Sequence, residues 1–235
     1  MSENEIKERA IAFAKANKKV IAKRYTDKNV YPAESHPISV FMAGSPGAGK
    51  TESAEALIAK FSDSHSVLRI DTDLLRAEFK EYDGFNSSLF QAATSILADK
   101  IHDLALEQKQ SFIFDGTLSN FERSIENIER SLSAKRNREV FIIYVYQDPL
   151  QAWDFVKQRA IKDGRYIPRE AFIEQYFSAR KNVNKIKELY LSKVKVDVVI
   201  KNIDGSVLKY TENAQSIDSE VKEQYSKSTL QEIIV

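Results

Sequence analysis

The sequence predicts an α/β fold: a doubly wound, mainly parallel sheet with helices on both faces and a helical N-terminal extension. Three observations predict it. Short apolar runs of strand length alternate with amphipathic helical segments along the chain. The octapeptide Gly44-Ser45-Pro46-Gly47-Ala48-Gly49-Lys50-Thr51 fits G-x-x-x-x-G-K-[ST] and sits between one such run and one such segment. The length of 235 residues, 43% hydrophobic and 29% charged, suits one large domain with accessory helices.

Each element has its own signals. Residues 2–24 read as a helix that Ser2 caps, with Glu3 and Glu5 at its start and Lys23 and Arg24 at its end. Its apolar stripe is Ile6, Ala10, Phe13, Ala14 and Ile21. Asp27, Asn29, Pro32 and Pro37 mark residues 25–37 as an extended connector. Ile38, Val40 and Met42 form a strand, and residues 52–61 a helix with Ala54, Leu57, Ile58 and Phe61 on one face. Residues 66–70 are a strand ending at Asp71-Thr72-Asp73, followed by a short helix at 74–79 and a loop at 82–87. A long helix over 88–107 carries Ile96, Leu97, Ile101, Leu104 and Leu106.

The second half continues the alternation. Residues 111–115 are a buried strand leading into Gly116-Thr117, 121–135 a helix, and 139–146 the strongest strand of the chain. Pro149 opens a helix through Ala160; after a loop at 164–167, Pro168 starts another that reaches about 189. Residues 196–200 and 207–210 flank Asn202-Ile203-Asp204-Gly205 as a hairpin-like pair, and the tail from 216 carries one short helix. The expected division is an N-terminal helix and connector over 1–36 and a nucleotide-binding domain over 37–235.

The octapeptide carries the chemistry. Backbone N–H groups of a glycine-rich turn and of the following helix N-terminus point at one spot, where the helix dipole favours an anion. Residues Gly44 to Thr51 therefore form a triphosphate site, with Lys50 reaching the β- and γ-phosphates of ATP and the Thr51 hydroxyl ligating Mg²⁺. Guanine specificity is not indicated, because Lys201-Asn202-Ile203-Asp204 carries the first two residues of Asn-Lys-x-Asp in the wrong order. Asn202 can still offer its amide to an adenine ring, or serve only the turn.

Length and spacing point to a small P-loop kinase rather than a motor ATPase. Such an enzyme needs a group to take the acceptor hydroxyl's proton and cations to offset charge on the transferred phosphoryl. Asp71 and Asp73 end the second strand, where a doubly wound sheet places its site. Asp73 also stands where a helix N-cap would. Phe112-Ile113-Phe114-Asp115 has the form of a Walker B element, able to hold a magnesium water or a substrate hydroxyl, or else is an ordinary strand end. Arg159, Arg165 and Arg169 surround Gly164, as in a phosphate-closing lid over about 159–169 or a solvated basic face.

These residues give the chain a resemblance to the zeta-toxin family of P-loop kinases. It rests on 37–51, Ile70 to Asp73, Asp115-Gly116-Thr117, and Arg159 with Arg165, and covers roughly residues 35–210. The resemblance implies a kinase fold and transfer of the ATP γ-phosphate to the 3′-hydroxyl of the amino sugar in UDP-N-acetylglucosamine. It also implies an antitoxin that blocks the ATP site. By position, Asp73 matches the family's catalytic base, Lys50 its P-loop lysine, and Arg159 and Arg165 its phosphate-clamping arginines. Asp99 falls where the family has a substrate-contacting Glu, and Asp115 replaces a Glu before Gly116-Thr117, so substrate contacts are expected from Asp73, Asp99, Asp115 and Thr117. Ser119 stands where the family often carries Arg.

Composition limits the partners. A net charge of +1 provides no global field toward nucleic acid or membrane, and the basic cluster Lys135, Arg136 and Arg138 has only Phe141 as an aromatic neighbour. The absence of cysteine excludes disulfides and thiolate metal sites and suits a cytoplasmic protein. Two other readings remain at this level: a kinase of another acceptor, such as a nucleotide, dinucleotide cofactor or polynucleotide end, and a non-catalytic ATP-gated switch. The N-terminal helix is expected either to pack on the sheet or to serve docking or self-inhibition.

Overall fold

Five parallel strands and one antiparallel edge strand form a single sheet in the order β2-β3-β1-β4-β5-β6. A computed structural model describes residues 1–61 and 66–234. The strands are β1 (Ile38–Ala43), β2 (Leu68–Asp71), β3 (Phe112–Asp115), β4 (Glu139–Tyr146), β5 (Val194–Lys201) and β6 (Val207–Thr211). The helices are α1 (Glu3–Tyr25), α2 (Lys50–Phe61), α3 (Gln91–Glu107), α4 (Phe121–Leu132), α5 (Pro149–Asp163), α6 (Arg169–Tyr190), α7 (Ile217–Glu220) and α8 (Lys227–Ile233). From β1 the chain crosses to β2, returns through β3, and then passes to β4 on the other side of β1. That reversal opens a crevice at the C-terminal end of β1, where open α/β sheets bind ligands.

Strand side chains alternate between two apolar layers. Val40, Met42, Ile113, Ile143, Val145 and Val199 face α2, which contributes Ala54, Leu57 and Ile58; the Phe61 side chain lies outside the described residues. On the opposite face Phe41, Leu68, Ile70, Phe112, Ile142 and Tyr144 meet Leu97 and Ile101 of α3 and Val183 and Ile186 of α6. A third cluster joins Trp153 and Val156 of α5 to Phe172 of α6 and Leu230 of α8.

Helix α1 packs on α3 rather than directly on the sheet. Ser2 forms the capping box with Glu5, and the small residues Ala10, Ala14 and Ala22 are buried in the main core, letting two helices approach closely. Of the expected stripe, Phe13 is 40% exposed and meets Phe79 edge-on. Arg24 and Tyr25 both bond Glu78, so α1 braces the turn that follows β2.

Several boundaries differ from the expectation. The segment after β2 is a 3-10 helix, Leu74–Glu78, and the predicted 88–107 helix starts as a 3-10 turn, Ser87–Phe90, before α3. Helix α5 runs to Asp163, where Gly164 ends it with φ 69°, a left-handed cap that glycine adopts without Cβ strain. The tail forms two helices, not one, because Ser216 and Ser226 each cap a separate start. Asn202 N–H bonds the Ser206 carbonyl and Gly205 N–H the Asn202 carbonyl, closing the expected hairpin turn. Among the described residues, no helix is long and apolar enough to cross a membrane.

His102 of α3 is fully buried among Phe41, Phe112 and Phe114. Burial, reinforced by the charges of Arg130 and Arg138, pushes its pKa well below the ordinary value. The native state therefore keeps His102 neutral while the unfolded chain protonates, so stability is lost as pH falls below the unfolded value of about 6.5. Urea unfolding at pH 7.5 and 5.5 should show a loss of about 1 kcal/mol from this residue, and His102→Leu should remove that share. An unchanged pH slope in the variant would assign the acid sensitivity elsewhere.

Candidate active site

The glycine-rich loop joins β1 to α2. Gly44, Gly47 and Gly49 have φ of 128°, 74° and 85°, a region L side chains rarely enter. Neighbouring backbone also leaves no room: a Cβ would lie 2.3 Å from the Val145 carbonyl oxygen at Gly44 and 2.1 Å from that of Ala152 at Gly47. The loop is thus pressed against the ends of β4 and α5. Gly44 N–H also donates to the Thr117 carbonyl at 3.2 Å, tying it to the turn after β3. Lys50 opens α2, and its Nζ folds back to donate to the Ser45 carbonyl at 2.6 Å and the Gly44 carbonyl at 3.1 Å. Burial pulls its pKa down to about 8, so an arriving anion meets a cation it can stabilise.

Beside the loop lies a row of carboxylates. Parallel pairing sets Asp71 of β2 directly against Asp115 of β3. Arg69, two residues before Asp71 and so on the same face, donates from Nη2 to Asp71 Oδ2 and to Asp115 Oδ2, each at 2.7 Å. The same nitrogen lies 3.4 Å from Thr51 Oγ1. Burial and the charges of Asp115 and Asp73 nevertheless push the Asp71 carboxyl up to about 6.

Asp73 does not cap the helix after it: its side chain makes no capping bond among the described residues, while its N–H donates to Asp71 Oδ1 at 2.7 Å. Three arginines surround its carboxylate instead. Arg76 bonds Oδ1, Arg165 Nη1 bonds Oδ2 at 2.6 Å, and Arg159 Nη2 stands 3.9 Å from Oδ2. Burial pushes this carboxyl up, but Arg76, Arg165 and Arg159 more than offset it and hold it below the usual carboxylate range.

The structure therefore brings Lys50, Thr51, Asp73, Asp115, Arg159 and Arg165 to one end of the sheet. The loop between α5 and α6 is shorter than the span of about 159–169 expected for a lid. Arg159 sits on α5, only residues 164–168 are loop, and Arg169 turns to Glu170 at the start of α6. Thr117 faces Ser119, its Oγ1 2.8 Å from the Ser119 hydroxyl. Asp99 is not drawn into the carboxylate row; it accepts two bonds from Arg123, at 2.9 and 2.8 Å. The Asn202 amide is engaged with Ser206 at 2.8 Å, within its own turn.

Sequence reasoning missed several participants. Arg69 and Arg76 looked like ordinary strand and helix residues, although a charge alternating with Ile70 toward Asp71 was a signal. Lys201 ends β5 over the loop, where a Cβ on Gly49 would stand 3.4 Å from Lys201 Cε. Its place at a parallel strand's C-terminus could have marked it. Gln147 holds the hairpin turn by donating to the Asn202 carbonyl at 2.7 Å, and Asn182 of α6 donates to the Leu118 and Ser119 carbonyls at 2.9 Å.

The protein family described as Zeta toxin matches residues 21–215. The chain belongs to the zeta toxin family of P-loop kinases. The match begins inside α1, ahead of the span the motifs alone delimit. No curated protein sequence matches this family member significantly. Among solved structures, the zeta-toxin-family chain is similar to one from the PezAT chromosomal toxin–antitoxin system of Streptococcus pneumoniae, with 16% identity and a TM-score of 0.61. That likeness covers 94% of this chain and 86% of the other. It is similar also to the complex of AvrRxo1-ORF1 with AvrRxo1-ORF2 bearing sulphate ions, at 16% identity and TM-score 0.63, over 94% and 73% of the two chains. The same complex with ATP gives 15% identity and TM-score 0.60, over 88% and 65%. At these identities the likeness shows the P-loop kinase-like fold.

Gly47→Ala tests the loop geometry. The added methyl meets the Ala152 carbonyl and a left-handed backbone at once, so stability should fall by roughly 1–3 kcal/mol. Binding of a fluorescent ATP analogue should weaken in parallel; unaltered melting and binding would contradict the close approach of loop and α5.

Proposed function

We propose that this chain is an ATP- and Mg²⁺-dependent kinase that phosphorylates a hydroxyl of a UDP-amino sugar of the UDP-N-acetylglucosamine type. In this reading it acts in the cytoplasm as the toxin of a toxin–antitoxin pair. The observation that carries the reading is the contact of Asp73 with Arg165 and Arg159 at the end of β2, beside a glycine-rich phosphate loop. The kinship with PezAT, described as a toxin–antitoxin system, supports the antitoxin partner.

The chain's own residues divide the work. Lys50, folded on two loop carbonyls, turns outward to bridge the phosphates. Arg165 and Arg159, which neutralise Asp73 here, transfer to the phosphoryl group, whose three oxygens suit guanidinium donors. Asp73, which Arg76, Arg165 and Arg159 hold ionised, accepts the proton of the acceptor hydroxyl as Arg165 and Arg159 leave it and Arg76 stays on its other oxygen. A bound acceptor therefore finds its base freed only when the nucleotide is in place.

The donor set suits magnesium. Among the described residues no three His, Asp or Glu side chains gather into a self-sufficient metal cluster. Mg²⁺ bound with a nucleotide needs only one or two protein oxygens. The Thr51 hydroxyl and the Asp115 carboxylate, brought together around Arg69, would hold it. When bound, the ion offsets charge on the β- and γ-phosphates.

Mass spectrometry of a nucleotide-sugar pool incubated with protein and ATP should show one species gaining a phosphate. Asp73→Asn should cut that transfer by roughly 10²–10⁴-fold, the range of a lost general base, while ATP binding stays near wild type. Unchanged transfer in the variant would remove Asp73 from the mechanism. ATP turnover that ignores every acceptor would favour a switch protein over a kinase.

A further inference from the structure

Arg69 occupies an unusual place for a strand residue. Its side chain is 14% exposed, and one nitrogen, Nη2, is shared by Asp71, Asp115 and Thr51. These three oxygens come from the ends of β2, β3 and the start of α2, and two of them are the donors a nucleotide-borne cation would use. The opposite nitrogen, Nη1, reaches outward to Glu55 Oε1 at 3.1 Å, on a residue 63% exposed. Arg69 is thus held between an inner carboxylate pair and an outer carboxylate on the surface of α2.

We propose that Arg69 is a built-in counter-cation that keeps the Asp71–Asp115 pair closed to free divalent metal until a metal–nucleotide complex arrives. The inference rests on the proposed use of Thr51 and Asp115 as metal donors. Two carboxylates facing each other across adjacent strands repel, and a guanidinium between them removes most of that repulsion. A free divalent ion must displace a tethered charge that already satisfies both groups. A nucleotide adds phosphate oxygens to the ion's shell and repays the displacement, and Arg69 then retires toward Glu55. The consequence is ordered loading: metal enters with nucleotide, not before it.

The test is Mn²⁺ binding followed by electron paramagnetic resonance, which reads loss of the free-ion signal without any turnover. Nucleotide-free wild type should show no binding below roughly 1 mM, whereas adding a non-hydrolysable ATP analogue should create a site. Arg69→Met should gain nucleotide-independent binding, roughly tenfold or more tighter than wild type, and Asp115→Asn in that background should abolish the gain. Tight Mn²⁺ binding by nucleotide-free wild type would overturn the proposal, as would a gain indifferent to Asp115. If Arg69→Met does not fold, the milder Arg69→Gln carries the same comparison, and the wild-type arm can still overturn the proposal. If the analogue recruits no Mn²⁺ to wild type, the metal-assisted kinase reading fails instead, a distinct result.

Discussion

Charge compensation at the C-terminal ends of β2 and β3 is the constraint on which the site depends. Asp71 is paired with Asp115 across adjacent strands and lies two residues before Asp73, and burial together with these two charges opposes its ionisation. The fold answers with guanidinium groups rather than protonation alone. Arg69 holds the inner pair, and Arg76, Arg165 and Arg159 hold the outer carboxylate. Breaking such a set by removing one partner leaves an uncompensated charge, so these arginines carry a structural role of their own.

The same constraint explains why distant elements converge. Arg165 follows the Gly164 cap of α5, and that cap packs against the 80s loop: a Cβ on Gly164 would lie 2.7 Å from Phe85. The 3-10 turn carrying Arg76 is braced by α1 through Glu78. The N-terminal helix therefore supports the surroundings of Asp73. Its burial against α3 makes it part of the core that positions the site.

The phosphate loop depends on a second, steric condition. Its glycines allow the backbone to pass within contact distance of β4 and α5, which aligns the α2 N-terminus with the crevice. The Thr117 carbonyl fastens its first residue, so the turn after β3 acts as a brace. Lys50, Arg69, Arg76 and Arg165 rest on protein oxygens, and in the proposed function Lys50 and Arg165 would exchange such an acceptor for a phosphate oxygen.

The sequence by itself determined the α/β alternation, the phosphate loop, and the family resemblance, because these are local: glycine spacing, strand periodicity and helix caps are properties of contiguous residues. The placement of Asp73, Asp115 and Lys50 at the end of the sheet was legible, since each ends or follows a recognisable strand or loop. The tertiary structure decided what local pattern does not encode. Strand register set Asp71 against Asp115 and placed Arg69 between them, where it meets Asp115 from 46 positions away. Extension of α5 to Asp163 confined the arginine-bearing loop to residues 164–168, whereas Asp99 was drawn to Arg123 and Asn202 to its own turn. Those outcomes depend on which charges meet across the sheet, and sequence order does not carry that information.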